Sequence, residues 1–200
     1  MRKKFVTVAA LVVSGTLVLS GCGGEAKDGT TDTNSSPQRS PSTVSAIGDF
    51  NDADATFATN MIPHHRQAVE MAELAETRAA SPQVKALATT IKGAQDPEIQ
   101  TMSGWLTSWG KPTPEDMTAM DMSGSMPGMM SLDDMTTLKA MSGSNFDQKF
   151  LAMMIEHHQG AIEMAKTEQR DGISGDALAL AQQIEQAQTL EITTMQGLLD

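Results

Sequence analysis

Cysteine occurs once in 200 residues and tyrosine not at all, and two Trp and five Phe are the only aromatics. One thiol excludes an intramolecular disulfide and any Cys-rich zinc or iron–sulfur site. Basic residues are scarce, 14 against 25 acidic, and the net charge is −11. The chain therefore lacks the cationic surface that nucleic-acid binding needs. Charged residues are still only 20% of the total, too few for a solvated acidic tail. Runs of alternating β-branched residues are nearly absent, which argues against a sheet. Methionine, in contrast, is abundant at 16 residues, and the four His are placed in a pattern.

The N-terminus reads as an address. Arg2, Lys3 and Lys4 precede an apolar run from Phe5 to Leu19 that is too short for a comfortable membrane span. Leu19-Ser20-Gly21-Cys22 follows, resembling the bacterial lipobox, in which the Cys is lipidated and becomes the mature N-terminus. Residues 1–21 are thus expected to be a lipoprotein signal peptide, with Cys22 the lipid anchor on the bacterial cell membrane. The stretch 22–48 is rich in Gly, Ser, Thr, Asp and Pro and cannot bury enough apolar surface to offset its ordering entropy, so it reads as a tether. The folded domain is expected over residues 49–200, outside the cytoplasm.

That domain is an internal repeat. Shifted by 93 positions, residues 57–72 align without a gap on residues 150–165, with Phe57, Met61, Ile62, His64, His65, Ala68, Glu70, Met71 and Ala72 recurring as Phe150, Met154, Ile155, His157, His158, Ala161, Glu163, Met164 and Ala165. The identity resumes at Ser81/Ser174, Ile91/Ile184, Ala94-Gln95/Ala187-Gln188, Glu98-Ile99/Glu191-Ile192 and Met102/Met195. Apolar residues recur at three- and four-residue intervals, and Ala, Leu, Met, Glu and Gln dominate, so each half reads as a helical hairpin. The hairpins are placed at 53–109 and 146–200, with a break at Asp171-Gly172. Two such hairpins bury their apolar faces on each other as an all-α four-helix bundle.

At about 100° per residue, His64 and His65 fall on the apolar stripe with Met61, Ala68 and Ala72, while Glu70 faces water; the second half repeats the pattern. Four buried imidazoles are costly unless something satisfies their nitrogens. Imidazole is the commonest metal ligand, and Met61 and Met154 add thioethers on the same surface. That donor set points to a soft or borderline metal, copper above all. Met71, Met164, Met102 and Met195 either extend the ligand set or fill the core; the sequence leaves both open. Glu98 and Glu191 could face inward, but two carboxylates are few for a di-iron centre. Pro63 precedes the first His pair where the second half has Glu156, predicting a kink or a helix restarted at Asn60.

The connector, 112–144, holds Met117, Met120, Met122, Met126, Met129, Met130, Met135 and Met141. Up to Pro127-Gly128 it has no helical period, and thioethers on such chain suit capture of Cu(I) without competition from protons. From Ser131 it reads as a short capped helix ending near Ser142-Gly143.

The paired Met-Ile-x-His-His…Ala-x-Glu-Met-Ala motifs, the Pro127-Gly-Met129-Met130 connector and Phe146-Asp-x-x-Phe150-Leu resemble domain-of-unknown-function family 305, across residues 48–200. The resemblance implies a ferritin-like four-helix fold, and some members are exported copper-binding proteins. It makes His64, His65, Met61, His157, His158 and Met154 the expected copper contacts, with Met129 and Met130 in the connector motif. The expected function is binding of copper, as Cu(I), for sequestration or transfer, with no enzymatic activity; a copper-accepting protein is the partner that transfer would require. A ferritin-like metal-dependent oxidase and a metal-free interaction lipoprotein are the alternatives.

Overall fold

The computed structural model describes residues 49–114 and 126–199. The signal peptide, Cys22, the tether, Met117, Met120 and Met122 lie outside the described residues. The helices are α1 (Asp52–Arg78), α2 (Pro82–Ser108), α3 (Leu132–Ala140), α4 (Gly143–Asp171) and α5 (Gly175–Leu199). Among the described residues the only strand-like pairing is an isolated bridge between Ala79 and Gly143, and no helix is long and apolar enough to cross a membrane.

The first three helices start where the sequence supplies a side-chain cap, whereas Ser142 ahead of α4 makes no such bond. The Asn51 side chain accepts from Ala53 and Asp54 N–H, and the Asp54 carboxylate accepts from Asn51 N–H at 2.6 Å, closing a capping box. Ser81 caps α2 ahead of Pro82, and Ser131 caps α3. The second hairpin begins at Gly143, three residues before the expected boundary at 146. α1 runs unbroken through Pro63, so the restart at Asn60 does not occur. Gly172 ends α4 with φ −76 in extended backbone, without the left-handed turn of a common Gly cap. Its missing side chain matters for space: a Cβ there would lie 2.3 Å from Glu168 Oε1 and 2.8 Å from Asp54 Oδ1.

α1 packs along α2, α4 along α5, and the hairpins meet through α1 and α4, which α3 joins at one end. α1 and α4 are antiparallel, and one device repeated 93 residues apart ties the hairpins together. Asp54 near the start of α1 accepts from Ile173 N–H (3.1 Å) and Ser174 N–H (2.9 Å), at the turn between α4 and α5. Asp147 near the start of α4 accepts from Ala80 N–H (3.0 Å) and Ser81 N–H (2.9 Å), at the turn between α1 and α2. Each carboxylate supplies acceptors to backbone donors that a helix start leaves unmatched.

The core is two apolar clusters. One gathers Ala68, Met71, Ile91, Phe150, Met154 and Met195 with Met130 and α3's Met135 and Leu138. The other gathers Phe57, Met61, Ile62, Met102, Leu106, Ala161 and Ile184. The repeat explains the division: Phe57, Met61 and Met102 in one are Phe150, Met154 and Met195 in the other.

Candidate metal centre

A polar layer separates the two clusters. Along α1, His64 and His65 follow Ile62 of one cluster and precede Ala68 of the other; along α4, His157 and His158 lie between Met154 and Ala161. α2 contributes Gln95 and Glu98 between Ile91 and Met102, and α5 contributes Gln188 and Glu191 between Ile184 and Met195. Each helix of the bundle thus supplies two polar residues to one level. The four His are at most 1% exposed.

The imidazoles are oriented by what their Nε2 atoms touch. His65 Nε2 lies 2.7 Å from Glu98 Oε2, and His158 Nε2 lies 2.7 Å from Glu191 Oε2. His64 Nε2–H donates to the Pro127 carbonyl at 3.1 Å, an acceptor that has no proton to give. These partners place the proton on Nε2 and leave Nδ1 of His64, His65 and His158 with a lone pair and no donor facing it. A carboxylate or carbonyl holding the far N–H is the usual support of a metal-ligating His. His157 has no partner at either nitrogen. Its ring lies against that of His64, centroids 3.7 Å apart and tilted by 36°.

Burial keeps His64 and His157 neutral. Desolvation, with the neighbouring His65 and His158, pulls the His64 pKa down to about 3. Desolvation and then the other imidazoles hold His157 well below its ordinary value. Neutral imidazole is the form that binds a metal, so neither ring must shed a proton near neutral pH.

The remaining candidates are distributed around the layer. Met61 and Met102 are fully buried in one cluster, with Met164 half-buried against it. Met71, Met154, Met195 and Met130 are buried in the other. Met126 is buried and Met129 half-buried in the strap that crosses the layer. Among the described residues no three His, Cys, Asp or Glu side chains converge on one ion position. An ion here would draw on one or two imidazoles plus thioether, a low-coordinate set suited to a soft ion.

The strap is seated where the repeat breaks. Gln67 donates from Nε2 to the Met130 carbonyl (2.9 Å) and accepts Met130 N–H on Oε1 (2.7 Å). Its counterpart 93 residues on is Gly160, whose added Cβ would fall 2.0 Å from the Pro127 oxygen. Gly128, at φ +74, lies equally close to α4, with a Cβ there only 2.7 Å from the Glu156 oxygen. Sequence reasoning did not find Gln67, Gly160 or the Pro127 carbonyl; the Gln67/Gly160 mismatch inside a matched segment was the available signal. Glu98 and Glu191 emerge as partners of the imidazoles, a role that their shared offset from the His pairs encodes.

Beside the start of α1 is a cavity of about 400 Å³ lined by Phe57, Asn60, Pro127, Met164 and Glu168 among others. Glu168 is buried with no donor facing either carboxyl oxygen. Desolvation, then the adjoining Asp54, raises its pKa to about 8. The equivalent position in the first half is Ala75.

Among solved structures the chain is similar to a protein from Streptomyces coelicolor described as secreted, at 36% identity and TM-score 0.66 over 74% of this chain and 91% of that one. It is also similar to CopM in its Cu(II)-bound form (33% identity, TM-score 0.64, 73% of this chain and 95% of that one). CopM in its Cu(I)-bound form matches at 30% identity and TM-score 0.60, over 72% and 93%. No curated protein matches the chain. Residues 54–199 match the family model described as domain of unknown function (DUF305), and the chain belongs to that family.

Proposed function

We propose that the protein binds copper in its imidazole layer, for sequestration or handover outside the cytoplasm. The observation that carries this reading is a set of buried imidazoles with Nδ1 lone pairs turned to no donor while Glu98, Glu191 and Pro127 hold three Nε2 atoms. Unpaired buried polar atoms cost about 1–3 kcal/mol each, and an ion would satisfy one or two of them. The similarity to CopM, which has Cu(I)-, Cu(II)- and Ag-bound forms, supports copper as the ion.

The donor types favour Cu(I): imidazole from His64, His65, His157 and His158 with thioether from Met61, Met154, Met102, Met195, Met71 or Met164. Met126, Met129 and Met130 of the strap would present sulfur at the approach to the layer and pass the ion inward. A lipid on Cys22 would hold the domain at the membrane, and a copper-accepting protein would receive the ion. Among the described residues of the layer, Glu98 and Glu191 each engage an imidazole, which favours a role as His partners over one as iron-bridging ligands; the proposed role is binding without chemistry on an organic substrate.

An anaerobic Cu(I) competition titration tests it. Replacing His64, His65, His157 and His158 by Ala should cost the chain its high-affinity binding. Unchanged affinity in a variant that keeps its helical circular dichroism would refute the proposal.

A further inference from the structure

Two members of the layer have no task in the account above. Gln95 and Gln188 are 2% and 3% exposed, and the amide oxygen of each meets no donor. They are repeat equivalents, each three residues before the Glu that holds an imidazole. On their own helices they stand between Ile91 and Met102, and between Ile184 and Met195, so an apolar side chain would fit the local pattern. A buried amide oxygen without a donor is a liability that Leu or Met would not carry. The ring N–H donors are not what these oxygens serve, since His64, His65 and His158 direct Nε2 to Pro127, Glu98 and Glu191.

We infer that Gln95 and Gln188 are oxygen donors of the layer and set its preference between oxidation states, an inference that rests on the proposed copper site. Amide oxygen is a hard donor. With imidazole it makes the nitrogen–oxygen set that suits Cu(II), whereas thioether with imidazole suits Cu(I) and Ag(I). Both sets lie at or beside the level of the imidazoles along the helices: Met61 and Met102 are in one cluster, Met154 and Met195 in the other, and Gln95 and Gln188 stand on α2 and α5 between residues of the two clusters. A divalent ion would then draw on the amide oxygens and a univalent one on the sulfurs, so removing the amides should act on one ion and spare the other.

The test measures Cu(II), without reductant, and Ag(I) by competition titration on the whole domain of the wild type and of Gln95→Leu/Gln188→Leu. The double variant should lose at least about 10-fold in Cu(II) affinity, the scale of a lost supporting group in a metal site, with Ag(I) affinity changed less than about twofold. The Cu(II) electron paramagnetic resonance spectrum should shift as oxygen leaves the coordination set. Unchanged Cu(II) affinity, or equal losses for both ions, would overturn the inference. The single variants Q95L and Q188L give the same comparison if the double variant does not fold. A wild type that binds both ions with an unaltered ratio in the variants removes this inference alone; one that binds neither removes the copper reading with it.

Discussion

Acidifying the metal-free protein from pH 6.5 to 5 probes the burial of His64 and His157. In the unfolded chain each imidazole takes up a proton as the pH falls through its ordinary value of 6.5. In the fold His64 resists to about 3, and His157 is held well below 6.5. The native state then binds fewer protons than the unfolded one, so acid destabilises it, with a slope for each ring that rises to about 1.4 kcal/mol per pH unit once the unfolded imidazole is fully protonated. Glu168 acts in the opposite sense. With its pKa raised from 4.5 to about 8, its contribution is present below 4.5 and lost as the pH rises through 8. Between pH 5 and 6.5 it offsets one of the two rings, and Asp54, held below 3.8, titrates beneath the window. The wild type should lose about 1.5 kcal/mol over this interval, and Glu168→Gln about 3 kcal/mol. That is a large share of the 5–15 kcal/mol typical of a domain. Urea denaturation in chelator at pH 5, 5.5, 6 and 6.5 reads both slopes. Equal stability of the Glu168→Gln variant at pH 5 and 6.5 would refute the burial argument.

Glu98→Ala and Glu191→Ala should each weaken copper binding about 10–100-fold, because His65 and His158 lose the partners that orient them; competition titration checks this, and the repeat requires similar losses. Gly160→Ala should destabilise the fold by about 1–3 kcal/mol, since its Cβ meets the Pro127 carbonyl of the strap and backbone must move. Limited proteolysis should then cut near residue 127 faster than in the wild type. Asp147→Ala should cost about 2 kcal/mol in urea denaturation by leaving Ala80 and Ser81 N–H without their acceptor.

The fold was legible in the sequence because two signals coincided. The three- and four-residue apolar spacing gave the helices, and the 93-residue offset paired them. The inward placement of His64, His65, His157 and His158 followed from the same periodicity. What escaped was whatever depends on contact between segments far apart in the chain. The seat of the strap is made by Gln67 and Gly160, one contributing two hydrogen bonds and the other an absence of side chain, and neither carries a local pattern. The ties through Asp54 and Asp147 carry no local signal either: each lies near the start of its own helix yet reaches across to Ser174 and Ser81. Of the two expectations at Pro63, the restart at Asn60 is overturned, because α1 continues through the proline. The break at Asp171-Gly172 stands where the sequence places it, but the space that Glu168 and Asp54 take beside Gly172 is a long-range feature with no local pattern.

X-ray absorption at the copper edge, on protein loaded anaerobically with one equivalent of Cu(I), bears most directly on the buried layer as the ion's seat. The spectrum should show imidazole nitrogen in the first shell, with the ring's characteristic outer scattering, accompanied by sulfur. A first shell of sulfur alone, with no imidazole signature, would place the ion on the methionines and contradict the account.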